Sequence, residues 1–363
     1  MSLRIIRAER RLTDRWRNVP VEPRGATRLG ISFRPLQAEG LGLEPRATLA
    51  ALLEHPYGLI RLAALWNRME PAPGAFDPSH LDWQVEAAER AGKQVILAVG
   101  AVKNFGYPEF FVPKHRLPAP LPEGTLVSDK SHPELLEAAV EFVAQVVERY
   151  SGRASIVAWQ VEHEAVDPLG VEHSWRLATG FVKREMAEVR RLDSSRPILL
   201  NGFLPMSAPV AAQQWWRTRD QGDSLSLAEE AADIIGVDVY PCHALGAAGG
   251  FTAYLDAGTH AWPERARRLV KRAATRGRRL MISEGQAEPW EAVTTPPSPA
   301  GQSMASCPPE RVIENFNRCI VLARESNAAL DAYLFWGAEY WLLRHQAGDG
   351  SYLEAWEQIL ASV

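Results

Sequence analysis

Short apolar runs recur along this chain in a regular rhythm, at residues 28–33, 59–64, 94–99, 155–160, 197–200, 234–239, 280–283 and 332–336. Most are continuous rather than alternating, the pattern of strands buried on both faces. Between them lie segments of helical period. Residues 133–150 place Leu136, Val140, Val143 and Val147 on one face, with Pro133 and Glu134 as N-terminal signals. Residues 81–91, 174–192, 262–275 and 309–326 read the same way. Strand alternating with helix predicts a parallel sheet. Eight such units predict closure into a (β/α)8 TIM barrel, a single domain over residues 28–363 behind an N-terminal extension, residues 1–27.

Composition narrows the class. A chain of 363 residues with 46% hydrophobic content has ample core for one large barrel. A net charge of −4 gives no reason to expect nucleic acid or an anionic membrane. Cys242, Cys307 and Cys319 have no ligand-like spacing, so neither a disulfide framework nor structural zinc is expected. No apolar run approaches the ~18 residues of a membrane span, and the N-terminus lacks the apolar core of a signal peptide. A cytoplasmic protein is expected. The oligomeric state is not legible. Two long Pro-rich segments, residues 105–132 and 287–309, follow candidate strands and read as walls or lids of a cleft at the C-terminal face.

Two carboxylates stand out against this frame. Glu164 follows the fourth apolar run and Glu284 ends the seventh. Two carboxyls carried to one face of a barrel from separate strand ends are the machinery of glycoside hydrolysis. Glu164 lies near Trp159 in sequence, an apolar context that suits a proton donor. Glu284 suits a nucleophile, with Arg61 the natural partner to favour its ionised form. Glu162 competes with Glu164, since strand alternation would point both to one side. Asn201, after the fifth run, reads equally as a turn former and as a sugar ligand.

At this point the chain resembles a known group. Trp159-Gln-Val-Glu-His-Glu164 resembles the Trp-Gln-Val-x-Asn-Glu acid/base motif of clan A glycoside hydrolases, especially families 35 and 42. Residues 61–77, from Arg61 through Trp66 to Glu70-Pro-Ala-Pro-Gly74, resemble the second-strand signature of that clan. Ile282-Ser-Glu284 resembles its nucleophile strand and Phe335-Trp336-Gly337 its eighth strand. Family 5 shares the pattern, but the His its members carry after the third strand has no counterpart here. The resemblance spans roughly residues 28–345 and implies a retaining β-glycosidase.

That resemblance assigns roles. Glu164 would be the acid/base and Glu284 the nucleophile, the motif register choosing Glu164 over Glu162. Tyr240 would contact the nucleophile, and Trp336 would stack on the sugar. Apart from the resemblance, Trp66, Trp159, Trp290, Trp336 and Trp341 fall at or just past strand ends, and this clustering suggests stacking on sugar rings. The clan's Asn that binds the sugar 2-hydroxyl is His163 in this sequence, so sugar choice or activity is expected to differ. The expected partner is a glycoside or oligosaccharide, with a lean to β-galactosides, and no cofactor is needed. The cluster Glu162, His163, Asp167, Glu172 and His173 lacks a metal-binding motif, so no catalytic metal is expected. Two rivals are a non-catalytic sugar-binding barrel, which His163 would mark, and a metal-dependent hydrolase.

Overall fold

The computed structural model of the chain describes residues 2–7, 14–106, 108–168, 173–248, 251–258, 262–290 and 306–363. Eight strands, numbered here in chain order, form a closed barrel with neighbours in the order Arg28–Ser32, Leu59–Ala63, Gln94–Ala98, Ile156–Gln160, Ile198–Phe203, Ile234–Val239, Arg279–Gln286 and Ala332–Trp336. All eight predicted runs are barrel strands, with helices between them. The interior residues of these strands are almost all buried, as continuous apolar runs require. The chain divides into two compact units.

One unit comprises Met1–Gly58, Leu204–Ala211 and Asp238–Val363. The seventh strand pairs in parallel with the eighth, and the eighth with the first. Pairing of the seventh strand shifts register between Ile282 and Gly285, the stretch that carries Glu284. A bulge of this kind re-aims a side chain. Helices Glu264–Thr275 and Pro309–Glu325 fall where the periodicity put them. Helices Pro45–Leu53, Ala338–Gln346 and Ser351–Leu360 were not evident from the pattern. Residues 2–7 form a strand of an antiparallel sheet with Phe251–Asp256 and Cys242–Ala248. Of the predicted loop 287–309, residues 291–305 lie outside the described residues.

The other unit comprises Leu59–Phe203 and Ala212–Val237. Its strands pair in parallel, second to third, third to fourth and fourth to fifth. Helix Pro133–Tyr150 has the predicted bounds and buries Val143 and Val147 as expected, within a face that also takes in Leu135, Ala139, Phe142, Val146 and Tyr150. Leu136 and Val140 are only half-buried, because the bulky Phe142 and Tyr150 set the centre of the face. The described part of residues 105–132 is anchored within this unit. Leu126–Val127 pairs with Arg176–Leu177, and His115 and Arg116 both reach Glu70, at 2.9 and 2.8 Å. Among the described residues no helix is long and apolar enough to cross a membrane.

Candidate active site

The fourth strand ends at Gln160, and the backbone then leaves the strand conformation. Glu162 and Glu164 both have positive φ, 54° and 42°. Non-glycine residues in this left-handed region carry strain and cluster at functional sites. Alternation therefore does not carry past Gln160, and the expectation that both glutamates point to one side is corrected. Glu162 accepts from the backbone N–H groups of Val102, at 2.9 Å, and Lys103, which turns its carboxylate to the loop after the third strand. Gly100 makes room for this, since a Cβ there would lie 2.0 Å from the Glu162 nitrogen.

Glu162 meets a second buried acid, Glu185, on helix Thr179–Leu192. Burial pushes the Glu162 carboxyl up, and burial plus the charge of Glu162 pushes Glu185 well above the ordinary carboxylate range. An acid whose folded value exceeds its unfolded one loses stability as pH rises from the unfolded value through the folded one. The protein is therefore expected to lose stability as pH climbs above about 4.5. Glu185→Gln removes one titrating group, and thermal melts across a pH series should show a flatter profile than wild type.

Glu164 sits in a buried polar web. Its backbone N–H donates to Asn201 Oδ1 at 3.4 Å, and its carbonyl accepts from Lys103 Nζ at 3.1 Å. Asn201 lies within the fifth strand, so it is not a turn former. Its amide nitrogen meets His163 Nδ1 at 2.8 Å, and Gln160 Nε2 donates to its oxygen at 3.1 Å. The Arg61 guanidinium donates to Gln160 Oε1 at 3.3 Å and lies 4.0 Å over the Phe105 ring. Burial first, then the positive charges of Arg61 and Lys103, hold the His163 imidazole well below its ordinary range, so the ring is neutral.

Two aromatic expectations on this side are corrected. Trp159 gives no apolar context to Glu164, because its indole N–H donates to Asp193 Oδ2 at 2.9 Å, just past the helix that covers the strand. Strand alternation sends Trp159 outward where Gln160 points in. Trp66 is fully buried, stacked 5.6 Å from Phe142 of the covering helix, and donates to Glu70 Oε2 at 2.5 Å. It packs strand against helix and offers no face to a sugar. Trp341, buried against Phe335 and Trp356, is core as well.

In the other unit, Glu284 occupies the bulged stretch of the seventh strand and accepts the Tyr240 hydroxyl proton at Oε2. Trp290 packs 5.0 Å from the Tyr240 ring, and its indole N–H donates to the Cys242 carbonyl. Gly285 is needed beside them, since a Cβ there would meet the Tyr333 hydroxyl at 2.1 Å. A neighbouring set of residues went unread in the sequence. Arg34, two residues past the first strand, binds Glu288 through both terminal nitrogens, at 2.6 and 2.9 Å. It also binds Glu339 Oε2 at 2.6 and 3.0 Å and lies 4.3 Å over the Trp336 ring. Trp336 is thus backed on one face by a guanidinium held between two buried carboxylates. The one available signal was three charged residues placed just past apolar strand ends.

Comparison with known proteins bears on the fold and, over part of the chain, on the family. Residues 57–188 match the glycoside hydrolase family 42 profile, described as beta-galactosidase. No curated protein matches the chain. Among solved structures, xylanase 10B from Thermotoga maritima is similar at 14% identity with a TM-score of 0.53, over 86% of this chain and 83% of that one. The GH10 xylanase of Thermobacillus composti is similar at 17% identity and a TM-score of 0.51, over 93% of this chain and 97% of that one. The exo-beta-1,4-mannosidase Op5Man5 from Opitutaceae bacterium strain TAV5 is similar at 14% identity and 0.52, over 88% of this chain and 55% of that one. At these identities the likeness to solved structures speaks for the barrel fold.

Proposed function

We propose that this chain is a clan A (β/α)8 glycoside hydrolase that cleaves β-linked glycosides, β-galactosides first, by double displacement on Glu164 and Glu284. The observation that carries the reading is the Tyr240–Glu284 hydrogen bond at the bulge of the seventh strand. A donated hydrogen bond stabilises the ionised carboxylate, the form a nucleophile needs. Glu284 would attack the anomeric carbon while Glu164 protonates the departing glycosidic oxygen. Glu164 would then take a proton from water, which attacks the glycosyl ester and regenerates Glu284. The proposal requires the two carboxyls to stand about 5–5.5 Å apart.

The remaining roles follow from chemistry. Arg61 would serve as a cationic substrate-binding residue, and Trp336, backed by Arg34, would stack on the sugar ring. Trp290 would flank the nucleophile beside Tyr240. His163 would contact the 2-hydroxyl in place of an Asn. The β-galactoside preference rests on the family 42 match.

Turnover of nitrophenyl β-glycosides by wild type and Glu164→Gln tests this. A galactoside should be hydrolysed best. The variant should lose roughly 10²–10⁴-fold on alkyl leaving groups, and less on nitrophenol, which departs without protonation. Added azide should restore turnover and give a β-glycosyl azide. No turnover of any β-glycoside alongside retained saccharide binding would favour the sugar-binding barrel.

A further inference from the structure

A run of hydrogen bonds with fixed polarity ends on the ring of His163. Arg61 begins it, because a guanidinium only donates, so the group facing it at 3.3 Å is the oxygen of Gln160. Gln160 Nε2 then donates to the Glu162 carbonyl at 3.0 Å and to Asn201 Oδ1 at 3.1 Å. The same Asn201 oxygen takes the backbone N–H of Glu164 at 3.4 Å. Turning either amide over would set donor against donor, or carbonyl against carbonyl. The group that meets His163 Nδ1 at 2.8 Å is therefore the Asn201 amide nitrogen, a donor. Nδ1 accepts, and the single proton of the neutral ring sits on Nε2.

We propose that Asn201 is a positioning residue that locks His163 as the Nε2–H tautomer, so that the site offers a hydrogen-bond donor to the sugar's 2-position and selects for an acceptor there. The lock stands on the hydrogen-bond geometry alone. Its meaning for the 2-position rests on the glycosidase reading. An imidazole that can present either a donor or an acceptor is thereby reduced to one, which restores the donor an Asn amide would supply. Asn201 also ties the ring to the backbone of Glu164, so tautomer and acid/base placement depend on one side chain.

Nitrogen-15 NMR of histidine-labelled protein reads the tautomer with no reference to turnover, and His163→Asn assigns the signal. Wild type should show an unprotonated Nδ1 and a protonated Nε2, unchanged from about pH 5.5 to 8. Asn201→Asp sets a carboxylate, which only accepts, against Nδ1 and should move the proton there. Asn201→Ala should give a mixture of both tautomers. In kinetics, wild type should disfavour a 2-deoxy aryl glycoside relative to its parent, and Asn201→Asp should shrink that ratio at least tenfold. A protonated Nδ1 in wild type, or ring signals indifferent to both substitutions, overturns the lock. An intact NMR signature without glycoside turnover supports the lock and counts against the glycosidase reading alone.

Discussion

Glu284→Gln is expected to fold normally and to lose kcat by on the order of 10⁴-fold or more, with aryl and alkyl leaving groups affected alike. The size follows from the step that is removed. A carboxamide cannot form the glycosyl ester, and no nearby change of protonation repairs that. Folding should survive because Gln is isosteric and its oxygen can still accept the Tyr240 hydroxyl proton. The pattern differs from Glu164→Gln, where a good leaving group or an added anion bypasses the missing acid. Steady-state rates on one aryl and one alkyl β-galactoside separate the two cases. A Glu284→Gln enzyme within tenfold of wild type would remove Glu284 from the chemistry.

Arg34→Leu should carry the largest cost in stability, about 3–5 kcal/mol, because it strands two buried carboxylates. Arg34, Glu288 and Glu339 are each almost fully inaccessible, and four side-chain hydrogen bonds hold the guanidinium between the two acids. Burial already pushes the Glu339 carboxyl up, and without Arg34 both acids would have to take up protons or draw in water. The melting temperature should fall by roughly 10 °C. Adding Glu288→Gln and Glu339→Gln to Arg34→Leu should return part of that loss, since it is the uncompensated charge that costs most. Trp336 loses its cationic backing in either variant, so KM for the sugar should rise. Equal destabilisation by single and triple variants would mean that packing around the guanidinium, rather than charge, dominates.

How far these sites could be read in advance depends on how local their signals are. The eight barrel strands announce themselves as continuous apolar runs, and Glu284, within the seventh strand, and Tyr240, one residue past the sixth, fall at positions that a motif can index. The backbone after Gln160 could not be read, because its two left-handed glutamates owe their conformation to Gly100, Lys103 and Asn201, all distant in sequence. The aromatic residues misled for a related reason. Trp66 and Trp159 stand near strand ends, but only the covering helices, through Phe142 and the Asp193 that follows Leu192, decide that they face outward. Arg34, Glu288 and Glu339 come from the ends of three different strands, and their pairing exists only once the strands are neighbours. The strand at residues 2–7 lies far in sequence from its partner at Phe251–Asp256, which is why it read as an extension.

The proposed double displacement turns on a covalent glycosyl-enzyme at Glu284. Incubation with an activated 2-deoxy-2-fluoro-β-galactoside, which slows breakdown of such an intermediate, followed by peptide mass spectrometry, tests it most directly. The expected result is a burst of leaving group, a mass increase of one fluorosugar, and a label confined to the peptide that carries Glu284. A label on another carboxylate, or hydrolysis of the parent galactoside with inversion at the anomeric carbon and no covalent species, would contradict it.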